Sequence, residues 1–450
     1  MNRHVVIVGG GLAGLSAAFF LRRARPELRL TVLEKAPLAG GKIGSSTHGG
    51  YTVDWAANGF LPVPETLDLA RALGLAGELQ EASPVAAKRF LYREGGLRAL
   101  PSSPPELLTT PLLLPSQKLR AALEPLLARR ADGEESVYAF VARRFGRGVA
   151  EAFAGPFVLG ITAGDAGALS LDALFPRLRA LEREHGSVLL GLLRAQRRAK
   201  SAAGTPERLT SFRGGGMSRL TERLRQQLGD CVRTGAEVTA LRRTATGYEV
   251  AWGGERLAAD ALILAAPAFV AAELLQSVCA EASSLLRSIP YADVTVFGLG
   301  YHRVDVPNPL DGFGFLVPRG EGVRVLGVLY SSSIFPDQAP AGRVLLRVIA
   351  GGSLDPDFGG LSEAAQLEAV RRDLRVTLGV VAEPEWVERV PWPKGIPQYT
   401  LGHQERVRRA RAALGRFPGL LLAGNAYDGV GVNDTVRSAR DAAQALAETL

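Results

Sequence analysis

The strand-like run His4–Val8 passes directly into Gly9-Gly10-Gly11-Leu12-Ala13-Gly14 and then a helical pattern over residues 15–23. An acid, Glu34, closes the next apolar run, residues 28–33, and lies 20 residues past the last glycine. A Gly-x-Gly-x-x-Gly spacing set between strand and helix, with a carboxylate at that distance, is the pattern of a dinucleotide site. Gly9 permits the tight turn, Gly11 lets the backbone approach a pyrophosphate, and Gly14 lets helix and strand pack closely. The helix start offers free N–H groups and a positive dipole end to the phosphates, and Glu34 can accept from ribose hydroxyls, with Lys35 beside it. The alternative is a purely structural glycine-rich turn.

Two distant segments look like parts of the same site. One is Gly40-Gly41-Lys42, followed by a hairpin-like stretch through Gly49-Gly50 to Asp54; the other is Gly424-Asn425 with Gly429-Val430-Gly431-Val432-Asn433-Asp434 opening a final helix. A second helix N-terminus with a row of backbone donors suits an electron-rich ring edge, such as N1/O2 of a flavin, which gains negative charge on reduction. A nicotinamide enzyme has no need of it. An ordinary helix cap is the competing reading of this late segment.

The chain has 450 residues and 47% hydrophobic content, enough for a large core and two or three domains. Cys231 and Cys279 stand alone, which supports neither a disulfide framework nor a thiolate metal site and suits a reducing compartment. The apolar start is shorter than a signal h-region and carries the glycine fingerprint, and no run of 18 apolar residues follows, so the expected location is cytoplasmic. Net charge is +8 and only six basic residues are lysines. Arginine favours carboxylate and phosphate partners, which points to an anionic substrate or membrane surface, although a solvated helix face explains any one arginine equally well. No nucleic-acid motif or aromatic-basic interleaving accompanies the charge.

The pattern along the chain gives an α/β fold: an interrupted Rossmann-like dinucleotide-binding domain, a mixed α+β substrate domain and a helical insertion. The expected division is 1–83, 203–270 and 405–450 for the discontinuous dinucleotide-binding domain, 84–202 for a mainly helical insertion, and 271–404 for the β-rich substrate domain with contributions from 84–100. Within the insertion, Leu107-Leu108, Leu112-Leu113-Leu114 and residues 118–130 combine leucine clusters with cations. Such a face can lie in a membrane interface, or the leucines can pack on neighbouring helices.

Several segments, in order, carry a resemblance over almost the full length: Arg89-Phe-Leu-Tyr92, Gly164-Asp165 with Leu169-Ser170, Gly312-Phe-Gly-Phe-Leu-Val-Pro318, Phe335-Pro336, Ile396-Pro-Gln-Tyr-Thr-Leu-Gly-His403 and the late glycine segment. The chain resembles the flavin-dependent protoporphyrinogen oxidases of the amine-oxidase-like superfamily. The resemblance implies FAD, with phosphates at Gly9, Gly10, Gly11, Leu12, Ala13 and Gly14, and ribose at Glu34 and Lys35. It places Lys42 and the turn Ala56-Ala57-Asn58-Gly59 near pyrophosphate and flavin, Val238 at the adenine, Trp392 at the ring, and Val430, Gly431 and Val432 at the N1/O2 edge. On the substrate side it implies Arg89 pairing with a propionate, the Gly164 carbonyl facing the pyrrole N–H groups, and Phe313, Leu316, Ile349 and Ala350 sandwiching the macrocycle. The turn before Asn58 lacks the Gly-Pro pair expected there, and Asp54 sits where Glu is common.

The reaction implied is oxidation of protoporphyrinogen IX to protoporphyrin IX in three two-electron rounds, with molecular oxygen reduced to hydrogen peroxide. The implied partners are the porphyrinogen, an anionic membrane surface on the inner face of the cytoplasmic membrane, a ferrochelatase and a second copy of the chain. The residues suit this chemistry, since no nucleophile elbow, metal cluster or telling carboxylate pair appears. Hydride transfer from an activated carbon needs positioning more than an acid or base. Rival readings are coproporphyrinogen III as substrate, a flavin amine oxidase or carotenoid desaturase, and a non-catalytic haem-pathway binding protein. Trp392 reads equally as core packing, Arg89 as a surface arginine, and His403 as a structural histidine.

Overall fold

The computed structural model describes residues 3–127, 131, 133–201 and 208–450. Five parallel strands form one sheet in the order Leu420–Leu422, Ala261–Leu264, His4–Val8, Arg29–Leu33, Val232–Arg233. His4–Val8 is buried along its whole length, the mark of a strand covered on both faces. Val5 and Ile7 pack under helices Leu12–Ala24 and Val432–Thr449. Val6 and Val8 face a three-stranded antiparallel sheet, Val238–Arg243, Tyr248–Trp252 and Glu255–Ala259, through Leu241, Val250 and Trp252. The two ends of the chain therefore meet in one layer.

Seven strands form the second sheet, in the order Trp386–Pro397, Tyr291–His302, Arg343–Gly351, Val325–Tyr330, Gly314–Leu316, Phe90–Arg93, Gly96–Ala99. All neighbours are antiparallel except Gly314–Leu316 beside Phe90–Arg93. One face is closed by helix Glu363–Leu378, with Leu346, Val348 and Ala350 packing towards Phe358, Val370 and Leu374. Side chains alternate along a strand, so Arg347 and Ile349 point the other way.

Within residues 84–202 the α-helices begin at Pro104–Thr109, after a 3-10 turn at Pro84–Ala87 and after the Phe90–Arg93 and Gly96–Ala99 hairpin has joined the large sheet. Val137, Phe140, Val158, Leu171 and Val188 make a small core there. Beside it lies an ion cluster in which fully buried Arg144 pairs with fully buried Glu124, while Arg179 bonds Glu135 at 2.9 Å and Glu182 at 2.8 Å. Part of the arginine excess is thus internal. Leu112 and Leu113 are also buried, at 6% and 4% exposure, so of the two readings of the leucine clusters these two residues follow packing, not an interfacial face. Leu108, Leu114, Leu119 and Leu126 remain exposed. The expected membrane segment at 118–130 runs in part outside the described residues. Among the described residues no helix is long and apolar enough to cross a membrane.

Candidate active site

The fingerprint glycines sit where the first strand ends and helix Leu12–Ala24 begins. A Cβ on Gly14 would lie 1.9 Å from the Gly9 carbonyl oxygen, so this crossing excludes every side chain. The helix starts with no side-chain cap and no acid in its first turn, which leaves its N-terminal N–H groups available to an anion. Glu34 is nearly buried and its carboxylate accepts from Gly10 N at 2.6 Å and Ala36 N at 2.9 Å, which fixes it beside the loop. Lys35, next in the chain, is exposed.

The distant segments close on this loop. Gly40 N donates to Gly10 O at 2.8 Å, and Gly11 and Gly40 form a parallel bridge. The hairpin Ser45–His48 and Tyr51–Asp54 turns at Gly49-Gly50, both at positive φ, as its two-residue loop requires. From the far end of the chain, Gly424 comes against Ala13, and Asn433 ties the start of the last helix to the 57–66 region, donating to Leu61 O at 2.9 Å and accepting from Thr66 Oγ1 at 2.7 Å. Gly431 caps that helix, with Val430 before it half-buried and Val432 inside. Val238 opens the strand that follows Ala236, whose N–H donates to Glu34 O at 2.8 Å.

The turn holding Ala56, Ala57, Asn58 and Gly59 is half-buried and held from the large sheet. Trp392 Nε1 donates to Trp55 O at 3.0 Å, Arg347 Nε to Asp54 O at 2.8 Å, and an Arg347 Nη to Ala56 O. Burial pulls the Arg347 guanidinium down to about 10, against the opposing pull of Asp54. Asp54 is itself buried, which pushes its carboxyl up despite bonds from Ser45 Oγ, Met217 N and Gln338 Nε2. Lys42 donates to Gly395 O on the edge strand, and burial lowers its ammonium to about 8. A partly desolvated cation beside two glycine loops is a fitting partner for a pyrophosphate.

The apolar wall beside this turn contains Leu159, Val294 and Leu326, with Ile349, Trp392 and Ile396 packed on them. Leu316 lies in register with Gly327, which pairs with Ile349, and it reaches Gly160, where a Cβ would meet Leu316 Cδ2 at 2.7 Å. Phe313 lies under Arg89, whose guanidinium sits 4.9 Å from the ring centroid. Arg89 is exposed, yet partial desolvation by the surrounding protein lowers its pKa. It has no carboxylate partner among the described residues, unlike Lys88 beside it, which pairs with Asp311 at 2.7 Å. Ala350 does not join this wall: it is fully buried in the core on the opposite face of the sheet, because strand neighbours alternate sides. The Gly164 turn follows Ala163, which belongs to the same apolar cluster, and Gly164 O accepts no hydrogen bond among the described residues, although Thr162 O, Ala163 O and Asp165 O all do.

Sequence reasoning missed Arg347, Gln338 and Gln398. Arg347 was recoverable in one respect, as a charge in the middle of a strand that is otherwise apolar after its first residue, which demands a partner. Among the described residues no group of three His, Cys, Asp or Glu is placed to hold a metal ion. A surface pocket of about 440 Å³ lined by Arg303, Leu310, Ser332, Pro336 and Val344 lies at the other end of the Arg343–Gly351 strand from Ile349.

Residues 12–447 match the family described as flavin containing amine oxidoreductase. The chain is 34% identical to the protoporphyrinogen oxidase of Homo sapiens, covering 100% of this chain and 99% of the relative. It is 30% identical to the coproporphyrinogen III oxidase of Bacillus subtilis, covering 97% of this chain and 96% of the relative. An Exiguobacterium protein whose crystal structure carries a provisional protoporphyrinogen oxidase name superposes with a TM-score of 0.88 at 26% identity, covering 100% of both chains. A reduced UDP-galactopyranose mutase shares the fold with a TM-score of 0.75 at 16% identity over 100% of this chain and 95% of the other. The two-ended glycine cradle and the match over nearly the whole length agree: this chain belongs to the flavin containing amine oxidoreductase family and is an FAD-dependent oxidoreductase.

Proposed function

We propose that this protein oxidises protoporphyrinogen IX to protoporphyrin IX. What supports the reading is an unpartnered carbonyl, Gly164 O, next to Ala163 of the apolar wall, and an unpaired cation, Arg89, at the start of the strand that runs beside Leu316. A porphyrinogen is flat and apolar, has N–H donors at its centre and carries carboxylates at its edge, and these three features are its complement. FAD held there would supply the hydride acceptor, with molecular oxygen as the terminal oxidant.

The chain's own residues bind and orient. The Leu316 and Ile349 side chains offer the macrocycle an apolar face, with Phe313 beneath Arg89 at the rim. The Arg89 fork holds a propionate, and the Gly164 carbonyl takes pyrrole N–H donors, which fixes which carbon faces the flavin. Gly9, Gly10, Gly11, Leu12, Ala13 and Gly14 seat the pyrophosphate with Lys42, Glu34 and Lys35 seat the ribose, Val238 meets the adenine, and residues 56–59, Trp392 and residues 430–432 frame the ring. The discontinuous division into flavin, helical and substrate units, with 84–100 lent to the substrate unit, goes with this assignment.

The Bacillus subtilis relative favours a second reading, coproporphyrinogen III oxidation. Porphyrin fluorescence growing in air from protoporphyrinogen IX, faster than from coproporphyrinogen III, is the expected result; the reverse order transfers the assignment to the second substrate.

The exposed leucines at 108, 114, 119 and 126, with Lys118 between them, support peripheral attachment to an anionic membrane from the cytoplasmic side. A ferrochelatase contact and a homodimer are the protein partners that this reading carries.

A further inference from the structure

The dipeptide Gln398-Tyr399 joins the two halves of the candidate site. Both residues are buried, at 4% and 1% exposure, and both are pinned by the main chain: Gln398 N donates to Pro290 O at 2.8 Å, and Tyr399 O accepts from Ser170 N at 2.8 Å. Their side chains serve opposite sites.

Gln398 serves the Gly164 turn. Its Nε2 donates to Thr162 O at 2.9 Å and its Oε1 accepts from Ser353 Oγ at 3.3 Å. Ser353 N in turn donates to Ala163 O at 2.8 Å, and Ala163 is held in the left-handed region at φ 51°. Gly164 packs so closely on the amide that a Cβ there would lie 2.2 Å from Gln398 Oε1. The carbonyls on either side of Gly164 are taken, so the turn cannot rotate to spend the Gly164 oxygen internally.

Tyr399 serves the late glycine loop. Its hydroxyl donates to Asn425 O at 2.7 Å and accepts from Gly429 N at 2.9 Å, which closes the loop immediately before residues 430–432. Its ring is clamped face to face on His403, with centroids 3.8 Å apart and planes 12° from parallel. The phenol is thus fixed from below and bonded on both sides at its tip.

We propose that Gln398 and Tyr399 are positioning residues that together set the distance between the substrate-facing Gly164 carbonyl and the flavin-facing loop at residues 429–432. The inference rests on the porphyrinogen reading of the site and extends it: adjacent side chains on one rigid segment hold substrate and ring in register, so neither turn moves independently of the other. Both side chains spend their hydrogen bonds on the protein's own backbone and on Ser353.

The test uses the FAD-loaded full chain and the variants Gln398→Met, Gln398→Glu and Tyr399→Phe. Hydrogen exchange should quicken in the 163–169 segment for Gln398→Met and in the 424–432 segment for Tyr399→Phe, while the rest of the chain exchanges as wild type. Anaerobic flavin reduction by protoporphyrinogen IX should slow by about tenfold or more in each at saturating substrate, with substrate affinity near that of wild type. Gln398→Glu should recover rate as pH falls, because the protonated carboxyl can again donate to Thr162 O, and Tyr399→Phe should shift the flavin visible spectrum. Unaltered exchange and unaltered reduction rates in the variants overturn the brace when wild-type flavin is reduced. Wild-type flavin that no porphyrinogen reduces overturns the substrate reading instead.

Discussion

Arg347 and Asp54 meet through the main chain as well as through charge: Arg347 Nε donates to the Asp54 carbonyl oxygen at 2.8 Å, while the Asp54 carboxylate is taken by Ser45, Met217 N and Gln338. The Arg343–Gly351 strand and the turn after Asp54 are thereby one unit. Arg347→Met leaves the Asp54 and Ala56 carbonyls without their donor, while the Asp54 carboxylate keeps its three other bonds, and a loss of about 1–3 kcal/mol for each stranded carbonyl is expected. Denaturant unfolding of the FAD-loaded protein measures it; unchanged stability removes the link.

Arg89→Ala should raise KM for the porphyrinogen by about tenfold or more, the scale of one charge-assisted bond of about 1.5–3 kcal/mol. Thermal stability should stay near wild type, since Arg89 bridges no other charge among the described residues. Arg89→Lys should fall between, because it keeps the charge and loses the fork. Steady-state kinetics on the three forms decide the point.

Lys42 loses its proton near pH 8 because of burial, and a bound pyrophosphate favours the charged form. FAD binding should therefore take up a proton above about pH 8, so affinity weakens as pH rises from there. Lys42→Met should bind FAD more weakly at pH 7 and lose that pH dependence. Titration of apoprotein with FAD between pH 7 and 10 reads both.

His403 is buried with neither ring nitrogen bonded, and burial, with Arg406 adding to it, pushes its imidazole down to about 4 from 6.5. The unfolded chain binds the proton more tightly than the folded one, so the stability present above pH 6.5 is lost as pH falls from there towards 4. The scale is about 3 kcal/mol at most. His403→Phe keeps the stack on Tyr399 and should flatten that part of the stability curve, as urea unfolding at pH 7, 5.5 and 4.5 would show.

Replacing Leu108, Leu114, Leu119 and Leu126 together with Ser should reduce sedimentation with anionic vesicles, and leave thermal stability little changed, because all four are exposed. Replacing buried Leu112 and Leu113 should instead destabilise the fold by about 2–5 kcal/mol for each leucine truncated to Ala.

The flavin half of the fold was legible because glycine spacing and both-face burial leave local marks. Gly9, Gly11 and Gly14 lie between a wholly apolar strand and a helix, and the final helix follows its own glycine turn. The strand Trp386–Pro397 was not legible, because Pro391, Pro393 and Pro397 interrupt its pattern. It is tolerated as the outermost strand of its sheet, where a missing N–H costs little. Ala350 was placed on the wrong face because two apolar neighbours in one strand cannot be assigned to sides without knowing what covers each. The ties of Arg347, Gln398 and Tyr399 span long sequence separations, and no local pattern encodes them.

Anaerobic mixing of the FAD-loaded protein with protoporphyrinogen IX and, separately, coproporphyrinogen III tests the central claim most directly, with flavin bleaching followed first and porphyrin fluorescence after oxygen is admitted. Rapid bleaching by protoporphyrinogen IX, slower or absent with coproporphyrinogen III, is the predicted result. Flavin that stays oxidised with both substrates would contradict it.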